Sequence, residues 1–177
     1  MHRSVFPLNP PLHGNVLLEL KTGFGPISPG KANSSKNKGE INQMTADPVQ
    51  LISPNSMHKP AGYSHVAKVR DGKPIFIAGQ VALDVSGNLV GRGDFRAQAQ
   101  QAFENLKAAV EAAGGSLSSL AKLNVYVVDV RELPQYREVR DLYIDIQHPP
   151  ASTAVQVAAL FRPEFLIELE AVAVVTQ

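Results

Sequence analysis

The chain has 177 residues, of which 17 are Lys or Arg and 16 are Asp or Glu, so its formal net charge is only +1. This balance provides no basic surface for nucleic acid, and no apolar run approaches the ~20 residues that span a bilayer. The chain contains no Cys, which excludes disulfides, thiolate metal sites and Cys nucleophiles. We therefore expect neither nucleic-acid nor membrane partners, and the cytoplasm is the default location.

The first third of the chain, residues 1–56, differs in composition from the rest. It is rich in Pro and Gly, and residues 31–40 are polar without any apolar period. Such a segment cannot bury enough apolar surface to offset the ~1–2 kcal/mol of backbone entropy that ordering each residue costs. We expect a disordered or non-native N-terminal extension, with a functional tail as the alternative. Met44 is a candidate natural start.

Residues 57–177 carry the periodicities of one α+β domain. The predicted elements, in chain order, are strands 64–70 and 73–78, a helix from Asp94 to Gly114, a strand over 120–130, a helix over 132–146, and strands 152–160 and 166–175. The Asp71-Gly72 pair predicts a tight hairpin turn between the first two strands. This ββαβαββ order predicts two helices on one face of a mixed sheet. The other face would need cover, which predicts an oligomer.

Two carboxylates in the last predicted strand are the most informative pair. Glu168 and Glu170 lie two residues apart, so both project from one face, roughly 6.6–7 Å apart along the strand. Ile167 and Leu169 occupy the opposite face. Either the carboxylate face is exposed to solvent, or one carboxyl group has a raised pKa and serves as a general acid or base. Both interpretations remain open at this point.

The other candidates have a structural and a functional interpretation each. Tyr63 precedes the first strand, where it either anchors the chain or faces a ligand. Gly79-Gln80 follows a buried strand, and a glycine there permits close approach of a ligand or another backbone segment. Ser152-Thr153 offers hydroxyl groups, but the sequence places no His or Lys to activate them. The histidines lack metal-ligand spacing, so no metal site is predicted.

Several stretches together resemble the Rid/YjgF family of reactive-intermediate (imine/enamine) deaminases. They are residues 60–65, 77–80, 98–107 and 150–173. The resemblance implies a chorismate-mutase-like protomer and a homotrimer with a central barrel and clefts between subunits. It also implies hydrolysis of a 2-imino acid, or its enamine tautomer, to a 2-keto acid and ammonia without any cofactor. A small-molecule substrate and two further copies of the chain are then the expected partners.

The resemblance also implies roles for individual residues. Glu168 would orient and deprotonate the attacking water. Tyr63 would close the cleft, and the segment Gly79-Gln80 and the start of the 152–160 strand, with Ser152 and Thr153, would bind the substrate.

The sequence departs from the family at one important position. Active members read Pro-Ala-Arg where this chain reads Pro150-Ala151-Ser152, and a serine cannot replace the charged, bidentate guanidinium that binds a carboxylate. Arg140 or Arg162 could supply a replacement cation. Two functions follow: a deaminase for an atypical substrate, such as one that lacks the α-carboxylate, or a non-catalytic trimeric small-molecule binding protein.

Overall fold

The computed structural model describes residues 47–176. The helices and strands, in chain order, are β1 (Val49–Ile52), β2 (Val66–Val69), β3 (Lys73–Gln80), α1 (Phe95–Ala112), β4 (Leu120–Val127), α2 (Leu133–Arg140), β5 (Ala151–Gln156) and β6 (Ile167–Val175). Short 3-10 turns precede β4 and α2. The interpretations of residues 1–46 as an extension and of Met44 as a start lie outside the described residues.

The main sheet has four strands in the order β3-β6-β4-β5. Strands β4 and β5 are parallel, whereas β6 is antiparallel to both β3 and β4. Helices α1 and α2 pack on one face, which confirms the predicted α+β architecture with a mixed sheet. Within the strand predicted over 120–130, residues 120–127 form β4, which is a central strand with neighbours on both sides.

Helix α1 is positioned by its cap and by an apolar stripe. The Asp94 carboxylate accepts a hydrogen bond from the Ala97 N–H at 3.1 Å, which satisfies one of the free amides of the first turn. The buried positions recur at helical spacing and face the sheet; they include Ala99, Ala102, Phe103, Leu106 and Val110. Small alanines on this face allow the helix to lie close to β6, whose inward side chains are fully buried.

The prediction that the N-terminal extension reaches residue 56 is wrong at residues 49–52. These residues form β1, which pairs antiparallel with β2, with Val49 opposite Val69 and Ile52 opposite Val66. This strand has only three apolar residues, interrupted by Gln50 and preceded by Pro48, so the polar composition around it concealed it.

The predicted hairpin between β2 and β3 is also wrong. Strand β2 pairs only with β1, and β3 pairs with β6. The Arg70 and Asp71 amides both donate to the Pro48 carbonyl, at 2.8 and 3.4 Å, so the Asp71-Gly72 turn continues the β1 pairing and does not close onto β3. Near its start, the β2 segment instead contacts β5 through a bridge between Ser64 and Ala151.

The second predicted helix ends six residues early, at Arg140. The Tyr143 and Ile144 amides both donate to the Arg140 carbonyl at 2.9 Å, so the chain turns at this point. The turn stacks the Tyr143 ring on Phe103, with centroids 4.9 Å apart. Ile146, the last residue of the predicted helix, lies beyond this turn and is 52% exposed.

Candidate active site

Strand β6 presents two carboxylates on the sheet face that the helices do not cover. Ile167 and Leu169 are fully buried against the helix layer. Glu168 and Glu170, at the alternate positions, are half-buried on the opposite face. The period of two that the sequence predicts is therefore the period that the structure has.

Gly79 makes room for the Glu168 carboxyl group. The pairing of β3 with β6 shifts register between Ile77 and Gln80, so Gly79 lies in a β-bulge, a feature common beside functional sites. A methyl group on Gly79 would overlap the Glu168 Oε1 atom. Only glycine lets this carboxyl group lie against the β3 backbone. The Gln80 amide folds back and donates to the Ala78 carbonyl at 3.0 Å.

Two side chains of β4 hold the second carboxylate. The Tyr126 hydroxyl donates to Glu170 Oε2 at 2.8 Å, and the Asn124 Nδ2 donates to the same oxygen at 3.2 Å. Tyr126 pairs with Glu168 across the strands, and Asn124 pairs with Glu170. The phenol is therefore a neighbour of both carboxyl groups.

The environments of the two carboxyl groups move their pKa values in opposite directions. Partial burial, followed by the negative charge of Glu170, raises the pKa of Glu168. The hydrogen bonds from Tyr126 and then Asn124 lower the pKa of Glu170. The same hydrogen bond raises the pKa of the Tyr126 hydroxyl. Divergent pKa values in one pair of carboxyl groups are typical of acid–base sites.

A small open cleft lies beside this pair. Its volume is about 350 Å³, and it is lined by Gly79, Tyr126, Glu168, Glu170, Val157, Ala159, Leu160 and Phe161. This size suits a small metabolite. A larger cleft of about 900 Å³ borders β1 and the residues around Tyr143, and none of the predicted site residues lines it. The smaller cleft is the candidate active site because it contains the two carboxyl groups whose pKa values are shifted.

Helix α1 fixes the strand ends that carry Glu168 and Gly79. The buried Gln98 amide donates to the Gly91 and Glu164 carbonyls at 3.1 and 2.9 Å and accepts from the Leu166 N–H at 2.9 Å, just before β6. The Asn105 amide donates to the Val81 and Leu83 carbonyls, both at 2.9 Å, just after β3. Two amides on one helix therefore set the relative position of these strands.

Tyr63 and Arg140 form a second group of predicted site residues. Tyr63 Oη and His58 Nε2 are hydrogen-bonded at 2.8 Å. The Arg140 guanidinium packs against Gly62, where a Cβ atom would overlap it. Its side chain is only 12% exposed, and its Nη2 bonds to Asp141 Oδ1 at 2.7 Å. The guanidinium charge is therefore already paired within the chain.

Ser152 and Thr153 start β5 and point to opposite faces of the sheet. Ser152 pairs with the buried Leu123 and so faces the helix layer. Thr153 faces the other side, where the Lys122 Nζ donates to its Oγ1 at 2.6 Å. Burial lowers the pKa of Lys122. The structure thus supplies the lysine neighbour that the sequence did not place.

Within one chain, the predicted site residues fall into two separate groups. Glu168 pairs with Tyr126, which in turn pairs with Val155. Ser152 lies three residues before Val155, about 10 Å along the strand, and β5 and β6 are two strand spacings, about 10 Å, apart. None of Tyr63, Arg140, Ser152 and Thr153 lines the Glu168 cleft.

Comparison with known proteins identifies the family. A family model described as Endoribonuclease L-PSP matches residues 54–175. A RutC family protein of Pyrococcus abyssi is 37% identical over 70% of this chain and 95% of its own length. The mite Dermatophagoides farinae has a protein named 2-iminobutanoate/2-iminopropanoate deaminase that is 33% identical over 72% of this chain and 98% of its own. This chain belongs to the Rid/YjgF family.

Solved structures of Rid proteins agree with this assignment. A Rid family protein of unknown function from Yersinia pestis is 34% identical, with a TM-score of 0.66 over 72% of this chain and 99% of its own. RidA from an Antarctic Psychrobacter is 35% identical, with a TM-score of 0.55 over 73% of this chain and all of its own. The match over residues 54–175 includes every predicted site residue.

Sequence reasoning missed three side chains of the uncovered sheet face in this Rid protein. Lys122, Asn124 and Tyr126 alternate along β4 with the buried Leu123 and Val125. The available signal was this alternation, which places a residue with a polar group at every second position of the strand and so on one face of the sheet. Recognising it would also have required the pairing of β4 with β6, which is not local in sequence.

Neither a metal cluster nor a membrane span was found in the described part of this Rid chain. No group of three or more His, Asp or Glu side chains that could hold a metal ion occurs within residues 47–176. Over the same residues, no helix is long and apolar enough to cross a membrane.

Proposed function

We propose that this Rid protein hydrolyses a reactive imine or its enamine tautomer, without a cofactor, and that its substrate is atypical for the family. The observation that supports this function best is the Glu168 carboxyl group. It lies half-buried in a small cleft against Gly79, and its pKa is raised by burial and by Glu170. A carboxyl group whose pKa approaches the working pH is an effective general base and acid.

The reaction asks little of the protein. A protonated imine carbon is already electrophilic, so the cleft has to place a water molecule and move protons. Glu168 takes a proton from the water as its oxygen adds to the imine carbon, giving a carbinolamine. The protonated Glu168 then returns that proton to the nitrogen. As the C–N bond breaks and ammonia leaves, the carbinolamine hydroxyl gives its proton to the Glu168 carboxylate and the carbonyl forms. Glu168 passes this last proton to the departing ammonia, which leaves as ammonium.

We propose that the substrate lacks an α-carboxylate because no guanidinium lines the Glu168 cleft to bind one. The resemblance to the family implies that Ser152 stands at the arginine position, and its pairing with Leu123 turns Ser152 toward the helix layer. Arg140, one candidate for replacement, is bonded through Nε and Nη2 to Asp141. The guanidinium of Arg162, the other candidate, lies over the rings of Phe161 and Phe165, 5.9 and 5.6 Å from their centroids. A desolvated carboxylate without a cationic partner would lose several kcal/mol of binding free energy. An imine of a simple amine would not carry this cost.

We also propose a homotrimer whose clefts combine the two groups of site residues. The uncovered sheet face presents Phe76, which is 82% exposed, and Phe161 on the cleft rim is 66% exposed. Exposed aromatic side chains of this kind favour an interface with another copy. In such an assembly, Tyr63 of one subunit would approach Glu168 of the next. Analytical ultracentrifugation of the full chain tests the proposal, and a monomer would contradict it.

The activity test compares two kinds of imine. A flavin amine oxidase generates a carboxylate-free imine in situ, and an amino-acid oxidase generates a 2-imino acid. Semicarbazide traps the imine that remains, while ammonia is measured. We expect the full-length protein to accelerate hydrolysis of the carboxylate-free imine more than that of the 2-imino acid. The reverse preference would contradict the proposed substrate class.

Glu168→Gln is the decisive variant, and Glu111→Gln on the exposed side of α1 is its matched control. Loss of a general acid–base group typically lowers the rate by about 10²–10⁴-fold, so we expect a loss of that order for Glu168→Gln only. Equal rates in both variants would contradict the assignment of Glu168.

The alternative function is a non-catalytic small-molecule binding protein. It is favoured by Ser152 at the family arginine position and by the pairing of Arg140 with Asp141. In that case neither imine would be hydrolysed faster than in buffer, whereas metabolites that enter the cleft would raise the melting temperature. These two outcomes separate the alternatives.

A further inference from the structure

We propose that Tyr126 and Asn124 are positioning residues that hold Glu170 as a carboxylate, and that this fixed negative charge makes Glu168 the member of the pair that carries the proton. The inference rests on the proposed function, because it describes how the Glu168 site is set for proton transfer. It concerns residues outside the predicted catalytic and substrate-binding set.

The geometry assigns the two donors to one carboxylate. Asn124 and Tyr126 lie on the same face of β4, and both donate to Oε2 of Glu170. Neither donates to Glu168, although Tyr126 is its cross-strand partner. A carboxylate that accepts two hydrogen bonds is stabilised in its ionised form. The arrangement therefore distinguishes two carboxyl groups that the sequence presents as equivalent.

No cation among the cleft residues neutralises this pair. The titratable side chains lining the Glu168 cleft are Tyr126 from β4 and Glu170 from the same strand. Strand β3 contributes only Gly79, and the segment 157–161 contributes only apolar side chains. Further along β4, the Lys122 ammonium donates to Thr153. Arg162, next to the cleft residue Phe161, places its guanidinium over the Phe161 and Phe165 rings. The charge of Glu170 therefore acts on Glu168 with no cationic side chain lining the cleft itself.

The pKa directions support this assignment of the proton. The Tyr126 and Asn124 hydrogen bonds lower the pKa of Glu170, whereas burial and the Glu170 charge raise that of Glu168. Because the two groups interact, they titrate as a pair. A more basic Glu168 takes a proton from water more readily, so Tyr126 acts on the reaction through Glu170 and not by contact with the substrate.

The test is a direct titration of the carboxyl groups in the full-length protein. The protein is labelled with ¹³C at the Glu side chains, and Glu168→Gln and Glu170→Gln identify the two signals. We expect Glu168 to titrate at higher pH than Glu170. In Glu170→Gln, which keeps an acceptor for Tyr126 but removes the charge, the titration midpoint of Glu168 should fall. In Tyr126→Phe, the midpoint of Glu170 should rise.

Tyr143→Phe is the matched control, because Tyr143 Oη donates to Glu104 Oε1 at 2.8 Å in another part of the molecule. It should leave both midpoints unchanged. The inference is overturned if Glu170 titrates at the higher pH, or if Glu170→Gln leaves the Glu168 midpoint where it was. A thermal melt of each variant shows whether it is folded before its titration is interpreted.

The titration also separates this inference from the proposed function. If the titration midpoints are as expected but no imine is hydrolysed, the deaminase proposal alone is refuted. Hydrolysis that depends on Glu168, combined with unchanged midpoints in Glu170→Gln, would refute the inference alone. If both hold, the acid limb of the pH–rate profile should move to lower pH in Glu170→Gln, because Glu168 then deprotonates at lower pH.

Discussion

The two groups of predicted site residues differ in what holds them in place. Glu168 and Gly79 belong to β6 and β3, adjacent strands of the main sheet whose other face is packed against α1. Tyr63 precedes β2, and Arg140 ends α2; their polar partners, His58 and Asp141, are close in sequence. Strand register therefore fixes Glu168 and Gly79, whereas local contacts fix Tyr63 and Arg140. Substitutions in the first group therefore test how the strands place a side chain. Substitutions in the second group test the contacts with residues close in sequence.

The largest effect that this comparison predicts is a loss of activity in Gly79→Ala. The added methyl group overlaps Glu168 Oε1, so the carboxyl group must move away from the β3 bulge. Displacement of a reacting group by about 1 Å can lower a rate about 10²-fold. We expect a loss of that order in the imine-hydrolysis assay, with little change in the far-UV circular dichroism.

A double-mutant cycle shows whether Gly79 acts through Glu168. If glycine only makes room for the carboxyl group, Gly79→Ala should add no further loss to Glu168→Gln, because coupled residues are not additive. Fully additive losses would mean that the glycine backbone contributes to the reaction independently of Glu168.

The next effect is on stability, and it tests how α1 holds the strand that carries Glu168. Gln98→Leu removes three hydrogen bonds, to Gly91, Glu164 and Leu166, from a fully buried position. The Gly91 carbonyl still accepts from the Asp94 N–H, so the Glu164 carbonyl and the Leu166 N–H are the two groups left without this partner. Buried groups left without partners cost about 1–3 kcal/mol each, and we expect a total loss of about 2–6 kcal/mol in the free energy of unfolding. Lys107→Leu, exposed on the same helix, should change it by about 0.5 kcal/mol or less. Denaturant titration measures both, and equal stabilities would contradict this role of Gln98.

The strands that the sequence predicted best are those whose pattern is local. The alternation of Ile167, Glu168 and Leu169 indicates which side chains share a face, and the structure confirms it. Asp94 and the apolar stripe after it likewise predict α1. Each of these patterns lies within one helix or strand, and the predicted apolar face is the face that is buried.

The features that the sequence did not predict depend on pairing between distant segments. The Asp71-Gly72 turn is compatible with a hairpin, but only the tertiary structure decides that Pro48 accepts the neighbouring amides. Likewise, Tyr126 and Asn124 become partners of Glu170 only through the register between β4 and β6. Composition concealed β1, because its three apolar residues are too few to stand out among polar neighbours.

A smaller loss of stability tests whether the contacts of Arg140 stabilise the fold. Arg140→Ala removes the bonds to Asp141 and the packing of the guanidinium against Gly62. Hydrogen bonds to charged groups contribute about 1.5–3 kcal/mol each, and less when one partner is exposed. We therefore expect a loss of about 1–2 kcal/mol in denaturant titration. Arg137→Ala, exposed and one turn earlier, is the control and should stay within about 0.5 kcal/mol. Equal losses in both variants would contradict a structural role that is specific to Arg140.

The smallest predicted effect is the pH dependence of stability, and it distinguishes the two carboxyl groups by sign. The pKa of Glu168 is raised above 4.5 in the folded protein, so stability falls as pH rises from about that value through the raised pKa. The pKa of Glu170 is lowered below 4.5, so its contribution is present above that value and is lost as pH falls through the lowered pKa. Thermal melts from about pH 3 to 8 compare these contributions in the variants.

The two variants should therefore change the melting temperature in opposite directions. Near neutral pH, Glu168→Gln should melt at a higher temperature than the native protein, and this difference should shrink as pH falls and Glu168 becomes protonated. Glu170→Gln removes the charged acceptor of the Tyr126 hydrogen bond, but it also removes the charge repulsion between Glu170 and Glu168. We therefore expect its melting temperature to fall only slightly near neutral pH. Parallel melting curves for all three proteins would show that neither carboxyl group changes its pKa on folding. The site would then owe its chemistry to position alone.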